Sequence, residues 1–395
     1  MEGRAARGGR DVLRLLAVGA LLVVVAALVL KLRLPRPFIW IWLAALVACF
    51  RCAVRAASPW GRRIFLTGFS LAMGLSLLEM TFATLAKLKP GGLESSGTYV
   101  EGGYFVQGGD LGYGPAPGVR VTSKLTWNSP EGRVPSYDVV YTISDQGVRV
   151  TRGNPDGDTW LFTGCSMMFG EGVNDDETLP AYFSAALDHR ANVVNLGFHG
   201  YGPHQMLRSL ETDRTRPLLH GVVKQVVYEG IYDHPIRAAG KDAWDVFGPS
   251  YVLAGDGVAY AGPFHGRFVG LVRRVLRKSD FVTFVLDRVI PHAKPSDEDI
   301  ERYARILERS AQLAREKLGA GFTVIYWDAD GESSARVLAR LRKTDLSIML
   351  VSDVIPRSEW AGLRIPGDVH PKPEVNRRLA AALAARFREG IPPGR

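Results

Sequence analysis

The feature that most constrains this chain is an apolar run close to its start. Residues 15–30 hold no charged side chain. In lipid such a segment must satisfy its own backbone hydrogen bonds, which a helix does. With its flanks the run reaches from Val12 to Leu32, about the 20 residues that a 30 Å hydrocarbon core requires. A second run, 37–50, is short and must borrow residues to about 56, with Arg51 snorkelling to the interface. Its aromatic start, Phe38-Ile39-Trp40-Ile41-Trp42, suits an interfacial belt. A third run, 64–86, is long enough but carries Glu79, which must face another helix or the interface. The expectation is a membrane region over 1–89 with helices at about 12–32, 37–56 and 64–86. The first run is longer than a cleaved signal segment and two more follow, so it reads as an anchor.

The charge agrees. The net charge of the 395-residue chain is +9. Residues 1–90 carry thirteen Lys/Arg against three acids, whereas the remainder carries 36 basic against 37 acidic residues. The excess positive charge therefore belongs to the membrane flanks, and a near-neutral remainder argues against a nucleic-acid partner. Eight basic residues flank the N-terminus and the 51–63 connection, and five flank the 31–36 loop and the exit after residue 86. That asymmetry places the N-terminus inside and, after three crossings, the rest of the chain outside the cytoplasm. Cys49, Cys52 and Cys165 form neither a disulfide framework nor a metal pattern.

After a Gly/Ser-rich linker over 87–103, residues 104–155 read as short strands and turns, with β-branched residues at 137–143 and 148–151. Linker and β-rich prelude together occupy 90–155. From 156 to 395 strands alternate with helices. Expected strands are 159–163, 192–196, 221–228, 321–327 and 346–351. Helices are expected at 180–187, 203–211, about 266–290, 297–318 and 373–388, with a hairpin or insertion at 240–265. About five such strands imply an α/β fold with a parallel, doubly wound sheet. Its site lies beyond the carboxyl ends of the strands.

Two loops at that edge carry candidate chemistry. In Phe162-Thr-Gly-Cys-Ser-Met-Met-Phe-Gly170 a glycine allows a tight turn and Ser166 opens a helix, where unpaired N–H groups can hold an oxyanion. A serine needs a base to act as nucleophile. Gly367-Asp-Val-His-Pro offers one: Asp368 can orient His370, which takes the serine proton. Alone, Ser166 also reads as a helix N-cap with no chemistry, and the second motif as a helix-capping Asp beside an exposed His; together they fall at one sheet edge in the order Ser, Asp, His. A third loop, Asn195-Leu-Gly-Phe-His-Gly200, offers a backbone N–H. His199 and His204 lie nearby but lack a third metal ligand, so neither metal nor cofactor is expected. Cys165 should point away from Ser166.

These residues resemble the SGNH, or GDSL-like, hydrolases and more closely their membrane-anchored bacterial members. Phe162–Pro180 resembles the first block, Asn195–Gly200 the second and Asp368-Val-His370-Pro the last; the prelude from Leu111 to Arg149 is also similar. The resemblance implies a flavodoxin-like sheet, a Ser166–His370–Asp368 triad, and an oxyanion hole using the N–H groups of Ser166 and Gly200. Two departures stand out. Cys165 replaces the usual Asp before the serine. Glu229-Gly-Ile-Tyr-Asp-His234 has Tyr232 where a Gly-x-Asn-Asp pattern supplies an oxyanion Asn, so Tyr232 or His234 becomes the candidate substitute. The resemblance implies a membrane-anchored esterase acting on an acyl ester of an envelope glycan or lipid. Two alternatives are transfer of that acyl group to a glycan, and a catalytically weak assembly or glycan-binding module. Oligomeric state is not legible.

Overall fold

The computed structural model describes residues 2–32, 34–88, 94–95, 104–129, 132–242, 244–265, 267–289 and 294–388. The chain divides into two compact units, Met1–Gly92 with Leu271–His292, and Leu93–Gly270 with Ala293–Arg395.

The first unit is built on α1 (Glu2–Lys31), α2 (Pro37–Val54) and α3 (Pro59–Leu88). Within them, Gly9–Lys31, Pro37–Val54 and Pro59–Leu85 are long and apolar enough to cross a membrane. The short second run does gain length from its flank: its 18 residues reach about 27 Å at 1.5 Å per residue. The expected linker is described only at 87–88, the end of α3, and at 94–95.

The second unit opens with the prelude. Phe105–Gln107 pairs with Tyr113–Pro115, and Arg120–Ser129 pairs with Gly132–Thr142, both antiparallel. The expected strand at 148–151 is only a pair of bridges made by Arg149, to Ile143 and to Asn195.

The α/β part has five parallel strands: β1 (Thr159–Gly164), β2 (Asn192–Asn195), β3 (Val223–Gly230), β4 (Gly321–Tyr326) and β5 (Ser347–Leu350). Their order is β5-β4-β3-β1-β2, the flavodoxin-like order, whose switch point lies between β1 and β3. Between and after them come α4 (Ser166–Phe169), α5 (Leu179–Ala186), α6 (Pro203–Glu211), α7 (His234–Ala238), α10 (Asp297–Leu318), α11 (Glu332–Leu341), α12 (Val351–Val354) and α13 (Pro373–Arg388); between α7 and α10 the chain forms α8 (Arg267–Leu276) and α9 (Asp280–Val289), of which α9 and most of α8 belong to the first unit. A hairpin, Pro249–Ala254 with Gly257–Pro263, fills the expected insertion.

Both sheet faces are buried, so alternate residues of one strand enter different cores. Leu161, Val226, Tyr228, Val324 and Tyr326 pack with Leu207 of α6, Tyr303 and Leu307 of α10 and Val337 of α11. Phe162, Val227 and Ile325 pack with Phe183 of α5 and Leu379 and Leu383 of α13. This explains strands that read as unbroken apolar runs. A third cluster joins Tyr104, Tyr113, Val121, Val139 and Tyr141 of the prelude to Phe169, the last residue of α4 after β1, and to Phe198 in the loop after β2. The prelude thereby lies over the carboxyl ends of those strands.

The single helix expected over about 266–290 is two helices, because Ser279 starts a new one: its hydroxyl accepts from the Val282 N–H at 3.0 Å. Glu79 of α3 explains the break. One carboxylate oxygen takes the Ser279 hydroxyl, and the other accepts from the N–H of Asp280 at 2.9 Å and of Phe281 at 3.4 Å. The start of α3 is built likewise. Ser58 accepts from the Gly61 N–H, and Asp11 of α1 accepts from the N–H of Ala57 and Ser58 and from the Ser58 hydroxyl. In each case a carboxylate from another helix meets the positive N-terminal end of the helix it caps.

Candidate active site

β1 ends at Gly164, whose φ is +155°; a side chain there would also press within 3.0 Å of the Glu229 carbonyl and the Met168 Cβ. The turn it permits makes Ser166 the first residue of α4, so its N–H is among those that have no partner inside the helix. Cys165 is fully buried, and burial pushes its thiol pKa up. It is a buried packing residue.

The loop before α13 brings the other two predicted residues to the serine. His370 Nε2 lies 2.8 Å from Ser166 Oγ, and His370 Nδ1 lies 2.9 Å from Asp368 Oδ1. The loop is fixed by its backbone: Asp368 N–H donates to the Ile365 carbonyl, Ile365 N–H to the His370 carbonyl, and Lys372 N–H to the Leu363 carbonyl. With a proton on Nδ1 toward Asp368, Nε2 presents its lone pair to the Ser166 hydroxyl. Burial alone would push the His370 pKa down. The Asp368 hydrogen bond and the charges of Glu171 and Asp368 outweigh it and hold the pKa above the ordinary imidazole value.

Sequence reasoning missed Glu171. Its Oε2 lies 2.6 Å from His199 Nδ1 and 3.4 Å from His370 Nε2. Burial would raise its pKa, but His199 and His370 overcome this and hold it at about 2. His199 is fixed in turn: its Nε2 meets the Tyr104 hydroxyl, and its carbonyl accepts from the Tyr113 hydroxyl at 2.8 Å. No periodicity signals this arrangement, because Tyr104, Glu171 and His199 come from separate loops. His204, the other histidine near the second block, is buried against Asp245 at 2.7 Å.

Arg149 of the prelude is also more than a strand residue. Fully buried, it donates to the carbonyls of Phe169 at 2.6 Å, Gly170 at 2.5 Å and Val173 at 2.7 Å, and to Asp175 at 3.1 Å. A cation on these carbonyls fixes the end of the serine-bearing turn. Tyr141 accepts from the Gly172 N–H, and Asn174 and Asp175 accept from the backbone of Val140 and Thr142. The polar tail of the first block is thereby stitched to the prelude.

The remaining candidates are placed differently. Gly200 has φ +71°, and a side chain there would meet Trp244 and the Tyr113 hydroxyl; its carbonyl accepts from Trp244 Nε1 at 3.2 Å. Tyr232 is 42% exposed. His234 is buried with Nδ1 against the Tyr228 hydroxyl, and its Nε2 has no partner among the described residues. Burial pushes its pKa well below the ordinary value, so it is neutral. Among the described residues neither Tyr232 nor His234 is hydrogen-bonded to Ser166 or His370. Glu229 stands at the carboxyl end of β3, beside Gly164. Its Oε1 accepts from Trp327 at 2.6 Å and its Oε2 has no partner among the described residues. Burial pushes its pKa up to about 7, against the opposing effect of Trp327.

No family model and no curated protein matches this sequence. Among solved structures, a lipolytic protein of the G-D-S-L family from Desulfitobacterium hafniense DCB-2 is similar over 58% of this chain and 99% of its own, with 11% identity and a TM-score of 0.35. A carbohydrate acetylesterase family member from Sinorhizobium meliloti is similar over 59% of this chain and 98% of its own, with 14% identity and a TM-score of 0.34. The geometry around Ser166 carries the functional reading that follows.

Proposed function

We propose that this chain is a membrane-anchored serine esterase of SGNH type, acting on an O-acyl ester of an envelope glycan or lipid. The observation that carries the reading is the continuous hydrogen-bonded line from Ser166 Oγ through His370 to Asp368, at the switch-point edge of the sheet. Ser166 Oγ attacks the ester carbonyl while its proton passes to His370 Nε2, leaving a tetrahedral oxyanion and an imidazolium facing Asp368. The N–H groups of Ser166 and Gly200 are the proposed oxyanion donors. The intermediate collapses to a Ser166 acyl ester as His370 returns the proton to the leaving alcohol. Water, deprotonated by His370, then attacks the acyl carbon, and His370 returns that proton to Ser166 Oγ as the acid leaves. The excess of basic residues on the first and third flanks supports a multi-pass topology with this unit outside the cytoplasm.

Turnover of an aryl acetate by the full-length protein in detergent tests the reading. Wild type should hydrolyse the ester and Ser166→Ala should not, with unchanged thermal unfolding. Equal turnover in the variant would refute the assignment. Adding a glycan acceptor separates the outcomes: free acetate identifies hydrolysis, and an acetylated glycan identifies acyl transfer.

A further inference from the structure

We propose that Glu171 is a second carboxylate of the reaction centre, a positioning residue that faces the same His370 nitrogen as Ser166 and steadies the imidazolium formed there. This rests on the serine-esterase reading above. Asp368 reaches only Nδ1 of His370, whereas Glu171 Oε2 lies 3.4 Å from Nε2, the atom that receives the Ser166 proton. Before the reaction, a neutral Nε2 and a carboxylate oxygen at that distance are two acceptors with no proton between them. Once Ser166 gives up its proton, Nε2 becomes a cationic donor and the same contact turns favourable. The gain is thus largest when the charge has formed, which lowers a barrier rather than tightening ground-state binding.

The carboxylate is held ready for this. Glu171 Oε2 lies 2.6 Å from His199 Nδ1, and the Tyr104 hydroxyl is hydrogen-bonded to the opposite nitrogen of the same ring. Tyr113 fixes the His199 backbone. The prelude therefore supplies the far end of a Tyr104–His199–Glu171 line that meets the Asp368–His370–Ser166 line at Nε2. Other charges also face His370. Asp368 comes from its own loop, Arg237 from α7 and Glu229 from β3, and the Tyr137 hydroxyl of the prelude faces Glu171 and Asp368. Arg237 opposes the cation, and Glu229, pushed up to about 7, is neutral under acidic conditions.

The test is the pH profile of kcat/KM for an aryl acetate, measured on the full-length protein in detergent. It is run for wild type, Glu171→Gln, Glu171→Asp and His199→Gln. Removing the negative charge beside Nε2 makes His370 easier to deprotonate. The acid limb of Glu171→Gln should therefore move about one pH unit lower, while the plateau falls about tenfold. Glu171→Asp, which keeps the charge, should restore the limb toward wild type, and His199→Gln should move it less than Glu171→Gln. A limb that stays in place in both Glu171→Gln and His199→Gln, whatever the plateau does, would overturn the proposal. So would Glu171→Asp behaving as Glu171→Gln. If Glu171→Gln does not fold, His199→Gln alone decides by the same reading. Failure of the esterase reading looks different: wild type itself would show no Ser166-dependent turnover.

Discussion

Both units give carboxylates fixed partners, and those partners differ. In the membrane-helix unit Asp11 and Glu79 face backbone N–H groups and a serine hydroxyl at the starts of α3 and α9. None of those partners changes its charge over the physiological range, so these contacts hold helices together. In the α/β unit Asp368 and Glu171 face imidazoles, which do change charge there. The same side-chain chemistry fastens helix starts in one unit and meets titratable rings in the other.

Substitutions can break this comparison, and the largest effect belongs to the proposed nucleophile. Ser166→Ala should lower aryl acetate turnover by about 10⁶-fold, the scale seen when such a serine is removed, with unfolding unaltered. Asp368→Asn should lower kcat by about 10⁴-fold by disturbing the tautomer and charge of His370. Substituting Arg149 by Met strips four hydrogen bonds, three of them buried, from the serine-bearing turn and its tail. It should cost about 3–5 kcal/mol in stability, read by thermal unfolding, and should reduce turnover as well. Glu79→Ala should cost only about 1–3 kcal/mol and leave kcat of the folded protein intact. A loss of kcat there would break the distinction between fastening and reacting carboxylates.

The smallest effect is in wild type itself. His370 must be neutral to accept the serine proton, and its pKa is held above 6.5. Activity should therefore fall as pH drops, along a limb whose midpoint lies above 6.5. A midpoint below it would show that Arg237 and burial prevail over the carboxylates.

The sequence made some parts of this molecule legible and not others, for physical reasons. Strands buried on both faces leave apolar runs, so β1 to β5 could be placed within a few residues, and α13 starts and ends where its proline and periodicity put it. Ser166 was legible because it opens the helix just after β1, and Asp368 and His370 because their short Asp-Val-His-Pro motif stands directly before α13. Glu171 was not, although it lies five residues beyond Ser166, because its partners His199 and Tyr104 are distant in sequence and meet it only after folding. The break between α8 and α9 was hidden for a similar reason: Ser279 is one polar residue in an amphipathic stretch until Glu79 meets it. Tyr232 and His234 mark the limit of motif reading. Position in a block named them as oxyanion candidates, yet His234 is turned into the core against Tyr228 and Tyr232 is left partly exposed.

The central claim is that Ser166 is a nucleophile activated by His370. Covalent labelling by a fluorophosphonate, located by peptide mass spectrometry on the full-length protein, tests it most directly. The account predicts one adduct on Ser166 in wild type and its loss in folded His370→Ala. An unlabelled Ser166 in wild type, or equal labelling without His370, would contradict it.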